Sequence, residues 1–190
     1  MDMKQDRRIQ RTKALLVHSL ADLMSAKNIK DITVKELCES ADINRGTFYL
    51  HYKDIYHMLE SVEQDLIDQF QTIFQKYSPE NTIGFPYPLF RDLFELIDQN
   101  SDLCRSLLGP NGDISFIMKI RELFRHQCIQ SWIQQNSPKL VPQYEYFSNF
   151  IIYGSVGLIE NWLLMGKPES PQEMARLITK LVSTGVQSLL

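Results

Sequence analysis

Two helix-start signals stand close together early in the chain, and nothing else in the sequence restricts its folding as much. Thr33-Val34-Lys35-Glu36 has the form of a capping box. The Thr33 hydroxyl is placed to accept from the Glu36 backbone N–H, and the Glu36 carboxylate is placed to reach back. Ile32 and Leu37 flank it as a hydrophobic staple. The helix that starts there reaches only to about Ser40, because Ala41-Asp42-Ile43 reads as a turn and Asn44 as the cap of another helix. Ile43 and Phe48 form a second staple. Upstream, from about Arg7 to Lys27, the spacing of Ile9, Leu16, Leu20 and Leu23 marks one face of an amphipathic helix. Two short helices joined by a tight turn and stapled to a preceding helix make a helix-turn-helix unit.

The remaining pattern is helical throughout, so the expected fold class is all-α with about nine helices. A fourth helix is expected over Asp54–Lys76, with Ile55, Met58, Leu59, Val62, Leu66, Phe70 and Ile73 on its apolar face. Pro79, Gly84, Pro86 and Pro88 make Ser78–Pro88 a loop. Further helices are expected over Leu89–Gln99, Asp102–Leu108, Asp113–Gln135, Gln143–Met165 and Pro171–Leu189. The last opens on Ser170-Pro171-Gln172-Glu173, a capping box with proline at the first helical position. The expected organisation is a three-helix head over residues 1–56, a linking helix to about 76, and a helical regulatory and dimerisation bundle over 77–190.

The net charge of −3 excludes a protein basic all over, but the charge is uneven. Residues 1–56 hold 10 Lys+Arg against 8 Asp+Glu, and the rest holds 10 against 15. A mildly basic head on an acidic body fits nucleic-acid contact at one end. No apolar run approaches the length of about 20 residues that a membrane span needs. The opening MDMKQDRRIQRTK lacks the apolar stretch of a signal peptide. Cys38, Cys104 and Cys128 have no CxxC spacing and read as buried thiols of a cytoplasmic protein. Phosphate-loop, dinucleotide, zinc-protease and nucleophile-elbow motifs are absent, and the four histidines have no metal-site spacing. The expectation is a protein that is not an enzyme and uses no cofactor or metal.

The third helix carries the candidate site. Phe48 and Tyr52 lie on its buried side, and Arg45, Thr47 and Tyr49 on the other. Arg45, at the N-terminal end, suits two hydrogen bonds to a guanine edge in the major groove. Gly46 lets the backbone approach the duplex closely. Thr47 suits a thymine methyl group or a phosphate. Tyr49, His51 and Lys53 suit phosphates, which position the helix without reading sequence. The N–H groups at the Thr33 end of the preceding helix suit another phosphate. With Asn44 as cap and Tyr52 beside Lys53, the candidate DNA-binding set is Thr33, Asn44, Arg45, Gly46, Thr47, Tyr49, His51, Tyr52 and Lys53. Each has a plainer reading as a surface or core residue. Lys4, Arg7, Arg8 and Arg11 read either as extra backbone contacts or as a solvated arm.

Thr33-Val34-Lys35-Glu36-Leu37, Ala41 to Tyr49, and His51-Tyr52-Lys53-Asp54 together resemble the DNA-binding head of the TetR family. The specific match covers about the first 60 residues; over the body the likeness is architectural. The resemblance implies a homodimer on a roughly palindromic operator, with effector binding in the body changing the separation of the heads. It implies Tyr49 and Lys53 as phosphate contacts and Arg45 and Thr47 as the residues nearest the bases. The chain departs at Ile55, where many members carry lysine. Tyr153 to Leu158 and the end of the chain resemble a subgroup that includes an activator working with a protein partner. That resemblance implies a signal that comes from another protein rather than from a small molecule.

The last two helices are apolar on more than one face, through Met174, Leu177, Ile178, Leu181, Val182, Val186 and Leu189, with Gly154 and Gly157 in the helix before. They form either the buried centre of the bundle or a dimer interface, and the dimer is the expectation. Phe90, Phe94, Phe116, Phe124 and Trp132 either enclose an apolar effector pocket or fill the core. Arg91, Arg105, Arg121 and Arg125 either face an anionic ligand or are solvated. The function expected is a sequence-specific repressor released by an effector. The alternatives are an activator or co-regulator controlled by a protein partner, and an interaction module that has lost DNA binding.

Overall fold

The computed structural model describes residues 3–77, 87–125 and 144–187. These form nine α-helices and a 3-10 turn, with no strand among the described residues. The helices are α1 (Met3–Ala26), α2 (Val34–Ser40), α3 (Arg45–Tyr49), α4 (Ile55–Lys76), α5 (Tyr87–Gln99), α6 (Ser101–Leu108), α7 (Ile114–Phe124), α8 (Tyr144–Leu164) and α9 (Pro171–Gln187). The expected all-helical class holds. Helix α5 starts earlier than expected, because Pro88 sits in its first turn, where a missing N–H costs nothing. The second half of the helix expected over Asp113–Gln135, with Cys128 and Trp132, and most of the expected loop lie outside the described residues.

The chain divides into two compact units: residues 1–65 with 102–114, and residues 66–101 with 115–190. Asp102–Ile114 thus groups with the N-terminal residues. The buried face of α6 (Leu103, Cys104, Ser106 and Leu107) belongs to that unit. Asp102 also stands 3.7 Å from His18 of α1. A short amphipathic helix reveals in sequence which face it buries, but not against what.

In the first unit, Leu16, Leu20 and Met24 of α1 are buried, with Ile9 and Leu23 at the margin. Leu37, Cys38, Phe48, Ile55, Met58, Leu59 and Val62 complete the core. Each large apolar side chain so buried contributes about 1.5–3 kcal/mol. Cys38 and Cys104 are buried free thiols. Burial pushes the Cys104 thiol up to about 12, which removes it from thiolate chemistry.

In the second unit, α5 packs on α9. Phe90, Phe94 and Phe116 are buried, and Phe124 meets Phe74 edge-on at 5.4 Å between centroids. Trp162 meets Phe94 at 5.4 Å and donates to the Glu169 carbonyl at 2.9 Å. The start of α9 is the expected capping box: the Ser170 N–H donates to Glu173 Oε2 at 2.8 Å, and the Glu173 N–H to Ser170 Oγ at 3.3 Å. The body arginines have internal partners. Arg91 bonds Asp92 at 2.6 Å, Arg125 stands 3.5 Å from Glu122, and Arg121 lies 3.9 Å above the Tyr153 ring; in the first unit, Arg105 stands 3.9 Å from Asp102. Burial pushes the Asp92 carboxyl upward, but hydrogen bonds from Lys76, Tyr77 and Arg91 outweigh it and hold the group at about 2.

The two apolar faces of α9 separate in the structure. Met174, Ile178 and Val182 are buried, whereas Leu177 and Leu181 face outward. On α8, Tyr146, Phe150, Tyr153 and Leu164 are exposed, Phe150 at 72%, and so is Met165 just beyond its end. A side chain added at Gly154 or Gly157 would meet nothing within 4 Å. The side chains of Val186 and Leu189 lie outside the described residues.

Candidate nucleic-acid interface

Helix α2 begins as its sequence requires. Thr33 Oγ1 accepts from the Glu36 N–H at 3.2 Å. The other half of the expected capping box is replaced: the Glu36 carboxylate accepts from Lys27 Nζ at 2.6 Å. A full charge nine residues away in sequence is a stronger partner than a neutral amide.

The turn between α2 and α3 is a Schellman motif. The Ile43 N–H donates to the Cys38 carbonyl at 2.9 Å and the Asp42 N–H to the Glu39 carbonyl at 3.3 Å. Closing it puts Asp42 at φ 53°, in the left-handed region that glycine adopts without strain. Asp42→Gly is therefore expected to raise stability by about 0.5 kcal/mol, and Asp42→Val to lower it by about 2 kcal/mol. Urea unfolding checks both, and equal effects would sink the strain argument.

Two residues later, Asn44 opens α3, its Oδ1 accepting from the Gly46 N–H at 2.7 Å. A Cβ at position 46 would stand 3.2 Å from that same oxygen. Gly46 thus also keeps the cap unobstructed, which sequence alone did not reveal. Phe48 is fully buried and anchors the helix.

Around that anchor the candidate residues separate. Arg45, Gly46, Tyr49 and Lys53 are exposed, Tyr49 at 57% despite its aromatic ring. Thr47 and His51 are half-buried; Thr33 and Asn44 are exposed and act as caps. Tyr52 is different. It is only 6% exposed, its ring lies 5.7 Å from that of Phe48, and burial pushes its hydroxyl above the ordinary phenol range. Tyr52 supports α3 from behind, in line with the buried side expected for it and not with a DNA contact. Lys35 and Cys38 of α2 line a shallow hollow with Asn44 and Arg45. Lys35 carries no signal in the sequence, since an exposed lysine on a short helix reads as solvated. Burial pushes the Cys38 thiol up, with Arg45 opposing.

A short helix anchored by one phenylalanine thus offers an arginine, a threonine and a tyrosine on its open side, with a lysine just beyond. Such a set suits base edges at its N-terminal end and phosphates elsewhere. No group of His, Cys, Asp and Glu that could hold a metal ion lies among the described residues, and no helix among them is long and apolar enough to cross a membrane.

Residues 86–184 match a TetR-type family model (TetR_C_8) described as the transcriptional regulator C-terminal region. Over 71 residues the chain is 31% identical to YxbF of Bacillus subtilis (strain 168), an uncharacterized HTH-type transcriptional regulator. That match covers 37% of this chain and only 19% of the relative's length. The fold is similar to that of a TetR transcriptional regulator from Streptococcus agalactiae 2603V, with TM-score 0.59 and 21% identity over 95% of this chain and 98% of the other. It is also similar to the dihydroxyacetone kinase operon activator DhaS, with TM-score 0.59 and 14% identity over 93% and 96% of the two chains.

Proposed function

We propose that this chain, which belongs to the TetR family of transcriptional regulators, is a homodimeric repressor that reads a palindromic operator with α3. The observation that carries this reading is the outward display of Arg45, Tyr49 and Lys53, with Thr47 half-buried among them, around the buried Phe48. Arg45 reads a base edge and Thr47 a methyl group or phosphate. Tyr49, His51 and Lys53 hold phosphates, as does the N-terminal end of α2 at Thr33. Asn44 and Gly46 set the start of α3 for close approach. Residues 1–56 form the DNA-contacting head, and the body, 77–190 apart from the Asp102–Ile114 segment that groups with the N-terminal unit, dimerises and receives the signal.

The second copy docks on the exposed apolar stripe of α8 and α9, where Gly154 and Gly157 let two helices approach closely. In one state of the dimer the two α3 helices sit about one DNA turn apart and enter successive major grooves. An effector, small molecule or protein, that prefers the other state shifts the population and releases DNA. The same device serves activation when the effector prefers the binding state. The fold likeness to DhaS, an operon activator by name, keeps that reading in view.

The test is selection of bound sequences from random duplex DNA, with purified protein at near-physiological salt. Enrichment of a palindrome is expected. A folded dimer that enriches nothing would overturn the DNA-binding reading in favour of an interaction module.

A further inference from the structure

We infer that His57 is a positioning residue for Lys53, an inference that rests on the reading of Lys53 as a phosphate contact. Helix α4 is capped by Asp54, whose Oδ1 accepts from the His57 N–H at 2.8 Å. The imidazole returns the contact one residue further back: Nδ1 of His57 accepts from the backbone N–H of Lys53 at 3.2 Å. That bond needs an unprotonated Nδ1 and places the proton of the neutral ring on Nε2. The ring is half-buried and meets Tyr52 at 6.1 Å between centroids, and Tyr52 in turn packs on Phe48.

The segment that carries Lys53 is therefore held at both sides. The Tyr52 ring is buried beneath it, and its amide is bonded to the first turn of α4. Lys53 itself is exposed. A long lysine side chain on a fixed backbone has less freedom to lose when its ammonium group meets a phosphate than one on a fraying backbone. Without the Nδ1 acceptor, the Lys53 amide turns to water and the ammonium group samples a larger volume. Asp54-x-x-His57 has the spacing of a capping box, but the His57 acceptor serves the amide before the cap, that of Lys53, and not the cap's own.

The test uses the full-length protein and its selected operator. His57→Leu keeps bulk but removes the acceptor. It is expected to weaken binding about fivefold. It should also lower the salt dependence by about one phosphate contact per subunit, as Lys53→Ala does. His57→Asn, whose Oδ1 is as many bonds from Cα as Nδ1 and so restores an acceptor for the Lys53 amide, is expected to recover both. With Lys53→Ala already in place, His57→Leu should cost nothing more. Fully additive losses, or an asparagine variant as weak as the leucine one, would overturn the positioning role. Lys53→Ala with an unchanged salt slope would overturn the phosphate reading itself. Hydrogen exchange in the unaltered protein gives a check that survives a poorly folded variant. The Lys53 amide is expected to exchange at least about tenfold more slowly than in a free chain, and free-chain exchange would overturn the bond on which the inference stands.

Discussion

Arg45→Ala is expected to weaken operator binding by about 2–6 kcal/mol for the two half-sites together, at about 1–3 kcal/mol for each bidentate contact with guanine. Binding to random duplex DNA is expected to fall by less than about tenfold, since there the arginine contributes only its charge. The asymmetry follows from where the residue sits. Arg45 is the first residue of α3, exposed, on a helix start fixed by the Asn44 cap and a core anchor at Phe48. On the proposed reading a side chain at that end reaches a base edge, whereas Lys53 stands beyond the far end and meets the DNA backbone. Lys53→Ala should accordingly weaken both kinds of binding alike. Titrations of both variants on operator and random duplexes at two salt concentrations check this. Equal losses for Arg45→Ala on the two DNAs would remove its base-reading role and leave it a phosphate contact.

Phe150→Asp is expected to convert the dimer into a folded monomer. Phe150 is largely exposed on α8, beside Tyr146 and Tyr153 and one turn from Gly154, so the monomer's own packing tolerates the change. In a symmetric dimer the substitution acts on both copies. It removes about 1.5–3 kcal/mol of apolar burial from each and presses a carboxylate against an apolar surface. The dimer dissociation constant should rise by about 1000-fold or more. Operator binding should fall at least about 100-fold, because two independent heads lose the advantage of linkage. Sedimentation velocity and circular dichroism separate the outcomes. A helical monomer supports the α8–α9 interface, and an unchanged dimer places the interface elsewhere.

Much of the head was legible because its signals are short-range. Thr33, Asn44 and Ser170 cap the helices that follow them through bonds to backbone amides two or three residues ahead. The burial of Leu16, Leu20 and Phe48 follows from helical spacing alone. The exposure of Arg45, Tyr49 and Lys53 needed no more than that spacing and the buried Phe48. The body was less legible because its apolar residues exceed what one helix face can hold. Periodicity says that Leu177 and Ile178 are both apolar, and only packing against α5 decides that Ile178 goes in and Leu177 stays out.

By itself, then, the sequence determined the helical class, the caps and the outward display of Arg45, Tyr49 and Lys53. All are settled by chain stereochemistry within about one helical turn. Only the tertiary structure decided that Glu36 turns to Lys27, that Asp42 accepts a left-handed backbone, and that Asp102–Ile114 joins the N-terminal unit. It also decided that His57 bonds the Lys53 amide. In most of these cases several partners satisfy the local chain equally well, and the choice falls to whichever surfaces and charges the fold brings together.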